Sequence, residues 1–382
     1  MSAKLRSCFP DETQSLLLEV ALAGDAIQSK SAWEKWSARV DIEKLEPAST
    51  RLLPLAAHRL NALRVQHREM PRLQGVLRHA WATNLSHRRH VDELLTWLTR
   101  ESIDHVLLKG LPLAFGVYPN PGTRPMDDVD VLVPFEEAWR TMRLLEDNGW
   151  VAVQVPPRRQ KGRPENEPLW YQHGTAFRSP EGLNMDLHWF ALEECSYVGA
   201  DRRFWQRRVR LAGSSSIWQL APEDQLLHLC VHGLRASPVS SIRWIADAIL
   251  LLRRHGENIN WNIVLSEARI RRLVVPLRHA LQYLSLHYSE LIPAEVLKTF
   301  SDESVTYFEK LAHHGNVRAR PTTQFVSTWL RYRRMTPDRG FVSRCVGFPR
   351  FLRQAWSTES YGAVAYHILR RVCKIPARGA PR

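Results

Sequence analysis

The chain has 382 residues, 44% of them apolar and 24% charged, a balance that supports two or three packed domains and excludes a disordered, collagen-like or disulfide-stapled architecture. Its 53 Lys and Arg against 39 Asp and Glu give a net charge of +14, which favours an anionic partner such as a nucleotide, a nucleic acid or a phospholipid. From Leu311 to Arg382, 14 Lys and Arg face only Asp338 and Glu359, so +12 of that surplus lies in the last fifth of the chain and the rest is close to neutral.

The five cysteines, Cys8, Cys195, Cys230, Cys345 and Cys373, are odd in number and scattered, with no C-x-x-C spacing and no His set to complete a zinc cage. That pattern fits reduced thiols. The first residues, MSAKLRSCFPDETQ, carry no long apolar stretch, and no apolar run reaches the ~18 residues of a spanning helix. A cytoplasmic protein is expected, with membrane association through the basic end left open.

Up to about Ser102 the pattern is helical. Asp11 is placed to cap TQSLLLEVALAG, with Gly24 as its stop, and Ser31 can cap a second helix. From Pro71 to Ser102 the apolar positions, Leu94, Leu95, Trp97 and Leu98 among them, recur at helical spacing without a second proline, which predicts one long helix. At Asp104 the period changes. HVLLKG reads as a short strand feeding the helix LPLAFGVYP through Gly110.

After the turn-rich PNPGTRP comes DDVDVLVP, in which Val129, Val131 and Val133 share one strand face while Asp128, Asp130 and Leu132 share the other. EEAWRTMRLLEDNG is a helix closed by Gly149, and WVAVQV, WYQHGTAFRS and LNMDLHWF read as further strands. The polar loop PPRRQKGRPENEP separates two of them. Helices resume at Gln219: Pro222 sits in a first turn with Glu223 and Asp224, and four more follow within SIRWIADAILLLRRHG, WNIVLSEARIRRL, PLRHALQYLSLHY and AEVLKTF. The expected fold class is therefore α+β, a mixed sheet with helices packed on it. The expected divisions are a helical region 1–103, a sheet-bearing core 104–215, a second helical domain 216–310 and a basic, aromatic-containing region 311–382.

The chemistry concentrates in three acids. Asp128 and Asp130 lie two apart on a strand, so both face one site, and such a pair is costly without a cation. Mg²⁺, or Mn²⁺ in its place, takes hard oxygen ligands and is typically held by one or two carboxylates together with substrate phosphates. The alternation of NMDLHWF puts Asp186 and His188 on one face of a later strand. If that strand neighbours the first, three carboxylates converge, as two-metal phosphoryl or nucleotidyl transfer requires. At the strand-to-helix junction Gly110 permits close approach of a phosphate, Lys109 can balance its charge, and the fork of Arg124 can engage two of its oxygens.

In this order, LLKG, then R-P-M-D-D-V-D-V-L-V, then D-L-H-W, the residues resemble the polymerase-β-like nucleotidyltransferase superfamily, and within it the group of uncharacterised nucleotidyltransferases. The likeness covers about Asp104 to Phe190 and extends less specifically into LLHLCVHGL and IRWIADAILLL. The resemblance implies that Asp128 and Asp130 are the metal-binding pair, Asp186 the third carboxylate and Gly110 the glycine of the nucleotide loop, with Lys109 and Arg124 as further nucleotide ligands. It also implies an NTP substrate and a hydroxyl or phosphate acceptor, with a peptide or a saccharide as candidates from peptide-tailoring and surface-polysaccharide pathways. One departure stands out: Leu111 follows Gly110 where the wider superfamily has Ser or Gly.

The other histidines have plainer uses. His228 and His232 are four apart on a helix, a zinc-capable spacing without a third ligand nearby; packing between helices or facing the cleft suits them better, and His232 and His188 are candidate supports of the site. Arg243 and Asp247, also four apart, suit an ion pair. The basic end admits a nucleic-acid surface, a peripheral membrane helix or a solvated face. Two further functions remain open on the same fold: a non-catalytic nucleotide-binding module that docks through its basic tail, and a transferase of another group, glycosyl or phosphoryl. A toxin–antitoxin-type enzyme that modifies protein or RNA is a third, although the extra helical regions exceed a minimal version.

Overall fold

A computed structural model describes residues 8–153, 167–235, 242–318, 321–336, 338–356, 358 and 360–372. Most of the polar loop expected after Val155 lies outside the described residues. The first helix, α1 (Glu12–Leu22), begins with a capping box in which Asp11 accepts from the backbone of Gln14 and Gln14 answers to the backbone of Asp11. The second, α2 (Ala26–Ser37), starts earlier than Ser31 would have it. Asp25 accepts from Gln28 N at 2.8 Å, so a better cap upstream leaves Ser31 inside the helix.

Two short helices, α3 (Pro47–Thr50) and α4 (Leu53–Ala62), lead to α5 (Met70–Arg100), the long helix that uninterrupted apolar spacing predicts. Its buried positions include Leu73, Ala80, Val91, Leu94, Leu95 and Leu98. Among them stands one amide, Asn84, whose Nδ2 donates to the carbonyls of Pro121 and Arg124 at 2.6 and 2.7 Å. A helix of the N-terminal region thereby fixes the loop that leads into the acidic strand.

The sheet is mixed and seven-stranded. Strand β1 (Val106–Leu108) turns into α6 (Gly110–Gly116); β2 (Val129–Leu132) is followed by α7 (Ala138–Asp147); β3 (Val151–Ala152), β4 (Gly174–Arg178) and β5 (Asn184–His188) form antiparallel pairs. After α8 (Arg202–Arg207), two strands of two residues each, β6 (Val209–Arg210) and β7 (Trp218–Gln219), complete the order β3-β4-β5-β2-β1-β7-β6. Strands that short carry no readable alternation, and the sequence gives no sign of them. The central feature is that β2 pairs in parallel with β5, so two distant segments of chain lie side by side.

Beyond the sheet come α9 (Pro222–Gly233), α10 (Arg243–His255), α11 (Trp261–Arg271), α12 (Val274–His287) and α13 (Ala294–Asp302). Their apolar faces merge with those of the N-terminal helices in one core, where Leu17, Leu60, Leu227, Ile245 and Leu281 are fully buried. A second core lies between the sheet, α7 and the C-terminal half of α5. Helix dominates the described residues, and the fold is α+β in class.

The basic end forms α14 (Tyr307–Arg318), α15 (Pro321–Met335), α16 (Phe341–Ala355) and α17 (Tyr361–Val372). A small aromatic core of Tyr332, Phe348, Phe351, Leu352 and Val364 holds them together. Part of their charge is used internally. Arg331 reaches Glu193 Oε1 and the carbonyl of Tyr171, both at 2.7 Å, which pins α15 to the segments on either side of β4 and β5.

Candidate metal and nucleotide centre

Register decides the site. In the parallel pairing of β2 with β5, Asp130 stands opposite Asp186 and Leu132 opposite His188, while the antiparallel pairing with β1 places Leu108 beside Asp130. Alternation sends Asp130, Asp186 and His188 to one face, and one ligand atom from each lies within 4.8 Å of the others. Asp128, the residue before β2, is exposed at the mouth of this group and outside that circle.

Asp130 is buried, and its Oδ1 accepts from Lys109 Nζ at 2.7 Å and meets His188 Nε2 at 3.0 Å. Burial alone would raise its carboxyl; the Lys109 ammonium and the His188 hydrogen bond hold it well below the usual carboxylate range. Asp128 moves the other way. Partial loss of hydration among the surrounding groups raises it first, although the residue is exposed, and the charges of Asp130 and Asp186 raise it further. Three carboxylates against the Lys109 ammonium and the Arg243 guanidinium, which acts on Asp128, still leave negative charge in excess, which is the electrostatic demand of a cation.

Lys109 reaches Asp130 by a strained turn. Its φ is +44°, in the left-handed region that a side chain of this size seldom occupies. Gly110 then opens α6, and a Cβ there would stand 3.1 Å from Met126 Sδ and 3.6 Å from Arg124 Nη1. The missing side chain therefore makes room for the R-P-M segment.

Arg124 does not present the phosphate fork that its sequence position suggested. It is 3% exposed, and its Nε and Nη2 donate to the two oxygens of Asp247 at 2.8 and 2.9 Å, while Tyr118 Oη donates to the same carboxylate at 2.6 Å. The fork locks the loop before β2 onto α10. Arg243 correspondingly lacks the partner four residues along its own helix; its Nη1 donates to the carbonyl of Pro125 at 2.7 Å.

His188 is itself constrained. Its ring lies 5.3 Å from that of His173, and a Cβ on Gly174 would fall 2.5 Å from Leu187 O and 3.1 Å from His188 Nδ1, so glycine is required where β4 crosses this residue. The face of α9 that carries His228 and His232, with Arg235 just past its C-terminal end, closes the rear of the site. His228 Nε2 lies 3.0 Å from Ala191 O, and burial, with Lys109 nearby, lowers its imidazole to about 3. The charge of Lys109, then burial, lowers His232. Arg235 clasps Glu194 through both guanidinium ends, while Glu193 is held at about 2 against burial by Arg235 and Arg331.

Of the residues expected at the site, Asp130, Asp186, Lys109 and His188 come together, Asp128 and Gly110 border them, His232 stands behind, and Arg124 is built into the scaffold. His173, Gly174 and Arg235 carry no signal that spacing could have exposed, and the spacing of Arg243 with Asp247 pointed to the wrong partner, because the partners of all four are distant in sequence.

The donor set suits a hard divalent ion. Two carboxylate oxygens and an imidazole nitrogen are compatible with Mg²⁺ or Mn²⁺, the latter tolerating nitrogen better. Asp130 and Asp186 would be the principal holders, and His188, already bonded to Asp130, would orient it.

No protein of curated description matches the chain. A solved structure, an antigenic nucleotidyltransferase-like protein from Paracoccidioides brasiliensis, aligns at 15% identity over 55% of this chain and 91% of its own, with a TM-score of 0.31. A family model described as uncharacterised nucleotidyltransferase matches residues 48–289, well over half the chain, and spans the acidic strand, the D-L-H-W strand and the helices behind them. The chain belongs to the uncharacterised nucleotidyltransferase family.

Proposed function

We propose that the protein is a divalent-metal-dependent nucleotidyltransferase that moves a nucleoside monophosphate from an NTP to a hydroxyl or phosphate acceptor and releases pyrophosphate. The observation that carries the reading is the register of β2 on β5, which sets Asp130 beside Asp186. Asp128 and Asp130 would serve both metals, and Asp186, beside Asp130, would complete the acceptor-side one and help to take the acceptor proton. A bound divalent ion would lower the pKa of the attacking oxygen and offset the charge of the leaving pyrophosphate.

The chain's own groups do the rest. Lys109 and His188 keep Asp130 ionised and fixed, so its oxygens are ordered before substrate arrives. Nucleotide binding offers Lys109 a second anion within reach of its flexible stem, so it can pass from Asp130 to a phosphate oxygen without leaving the site. The acceptor oxygen then forms its bond to the α-phosphorus as the bond to the pyrophosphate oxygen breaks, and the proton of a hydroxyl acceptor goes to Asp186. The buried wall formed by α9, with His228 and His232 neutral, adds no competing charge beside Lys109. A peptide or a saccharide is the acceptor class that the family resemblance favours.

The test is incubation with each α-labelled NTP, Mg²⁺ or Mn²⁺ and a lysate, followed by mass spectrometry of whatever acquires label. Asp130→Asn should lower transfer by more than about a hundredfold, beyond the cost of losing an outer partner of a metal ligand. Equal labelling by wild type and variant, or labelling that survives chelation, would contradict the reading.

A further inference from the structure

The i, i+4 spacing of Arg243 and Asp247 on α10 is the spacing of a helical ion pair. Asp247 is committed elsewhere: Arg124 takes both of its oxygens, and Tyr118 adds a third bond to one of them. Among the described residues no carboxylate lies within 4.0 Å of Arg243. Its one hydrogen bond, from Nη1 to Pro125 O at 2.7 Å, places it against the segment that runs from Arg124 through Met126 to Asp128.

Its surroundings make that position electrostatically adverse. Arg243 is half-buried at the first residue of α10, where the positive end of the helix dipole disfavours a cation. Burial first, then the charge of Arg124, pull the guanidinium down to about 10; the carboxylate of Asp247 opposes them, and Arg51 adds a smaller downward pull. A guanidinium that makes no direct ion pair among the described residues, while its charge acts on Asp128 at the edge of the acidic site, is a cation open to an anion that comes from outside.

We propose that Arg243 binds the phosphates of the incoming nucleotide and that Arg124, locked on Asp247, is the strut that leaves it unpaired. Resting on the nucleotidyltransferase reading, this assignment deepens it: a second phosphate-binding cation comes from the helical layer and joins Lys109, since the charges of both act on Asp128. Arg243 contributes through two nitrogens, Nε and Nη2, for which no acceptor is found among the described residues.

The experiment is calorimetric titration of inorganic tripolyphosphate, and separately of Mn²⁺, into the wild type, Arg243→Gln and Arg243→Lys. Arg243→Gln should weaken tripolyphosphate about tenfold or more, as expected for a lost charge-assisted bond. Its Mn²⁺ affinity should stay within about twofold of wild type, and Arg243→Lys should fall between the two for tripolyphosphate. Unchanged tripolyphosphate binding by Arg243→Gln, no tripolyphosphate binding by the wild type, or a parallel loss of Mn²⁺ affinity would overturn the assignment. Failure of the parent reading looks different: tripolyphosphate binding that depends on Arg243, with no NTP ever yielding a labelled product, would sink the transferase and leave the anion site standing.

Discussion

His228 refuses a proton that the unfolded chain would accept. Its imidazole is 2% exposed and bonded to Ala191 O, and burial beside Lys109 lowers it from 6.5 to about 3. As pH falls through the unfolded value, the unfolded state binds a proton and the native state does not. The contribution of this residue to stability is complete above pH 6.5 and is lost as pH falls towards 3. Denaturant unfolding measured between pH 7.5 and 5 should therefore show a slope that His228→Gln reduces by up to about one proton. An unchanged slope would mean that the ring titrates freely in the native state. The same accounting separates the two acids of the strand: Asp130, lowered by Lys109 and His188 in spite of burial, stays charged to low pH, whereas Asp128 takes up its proton earlier.

Between elements, geometry does what residue types alone cannot. At Gly174 a methyl group would meet Leu187 O at 2.5 Å and crowd His188 Nδ1. Gly174→Ala should destabilise the protein by about 1–3 kcal/mol, as overpacking does, and should weaken metal affinity because His188 must turn from Asp130. Thermal unfolding with Mn²⁺ titration checks both, and an alanine variant with unaltered metal binding would free His188 from that role. This contact also marks how far the sequence was legible. The alternation in D-V-D-V-L-V and in N-M-D-L-H shows which side chains share a face of each strand, and the long uninterrupted spacing after Pro71 shows α5. It does not show which strands are neighbours, since a parallel pairing 56 residues apart leaves no local trace. Spacing misled at Arg243 and Asp247 for a related reason: the i, i+4 rule describes an isolated helix, and Arg124, a residue 123 positions away, competed for the carboxylate and won it with two bonds.

At the scale of the whole molecule, the sheet holds the acids and the helices set their charge. Helix α5 ties down the loop before β2 through Asn84, α10 grips the same loop through Asp247, α9 lines the rear, and α15 reaches across to Glu193 and Tyr171. The N-terminal helices and α9 to α13 share one apolar core, so the scaffold of the site is drawn from both ends of the family-matched region. The +14 surplus reads differently in this light. Part of it is structural, since Arg331 and Arg334 bind acceptors around Glu193 and Glu194. None of the described helices is long and apolar enough to cross a membrane.

The proposed function requires a divalent ion between β2 and β5. Anomalous diffraction from crystals soaked in Mn²⁺ and a non-hydrolysable NTP analogue addresses it directly. The predicted map has a manganese peak in contact with Asp130 and Asp186, with Lys109 drawn away from Asp130 towards phosphate. A map with the analogue bound but no peak at these carboxylates, or with the peak elsewhere and the Lys109 to Asp130 bond intact, would contradict it.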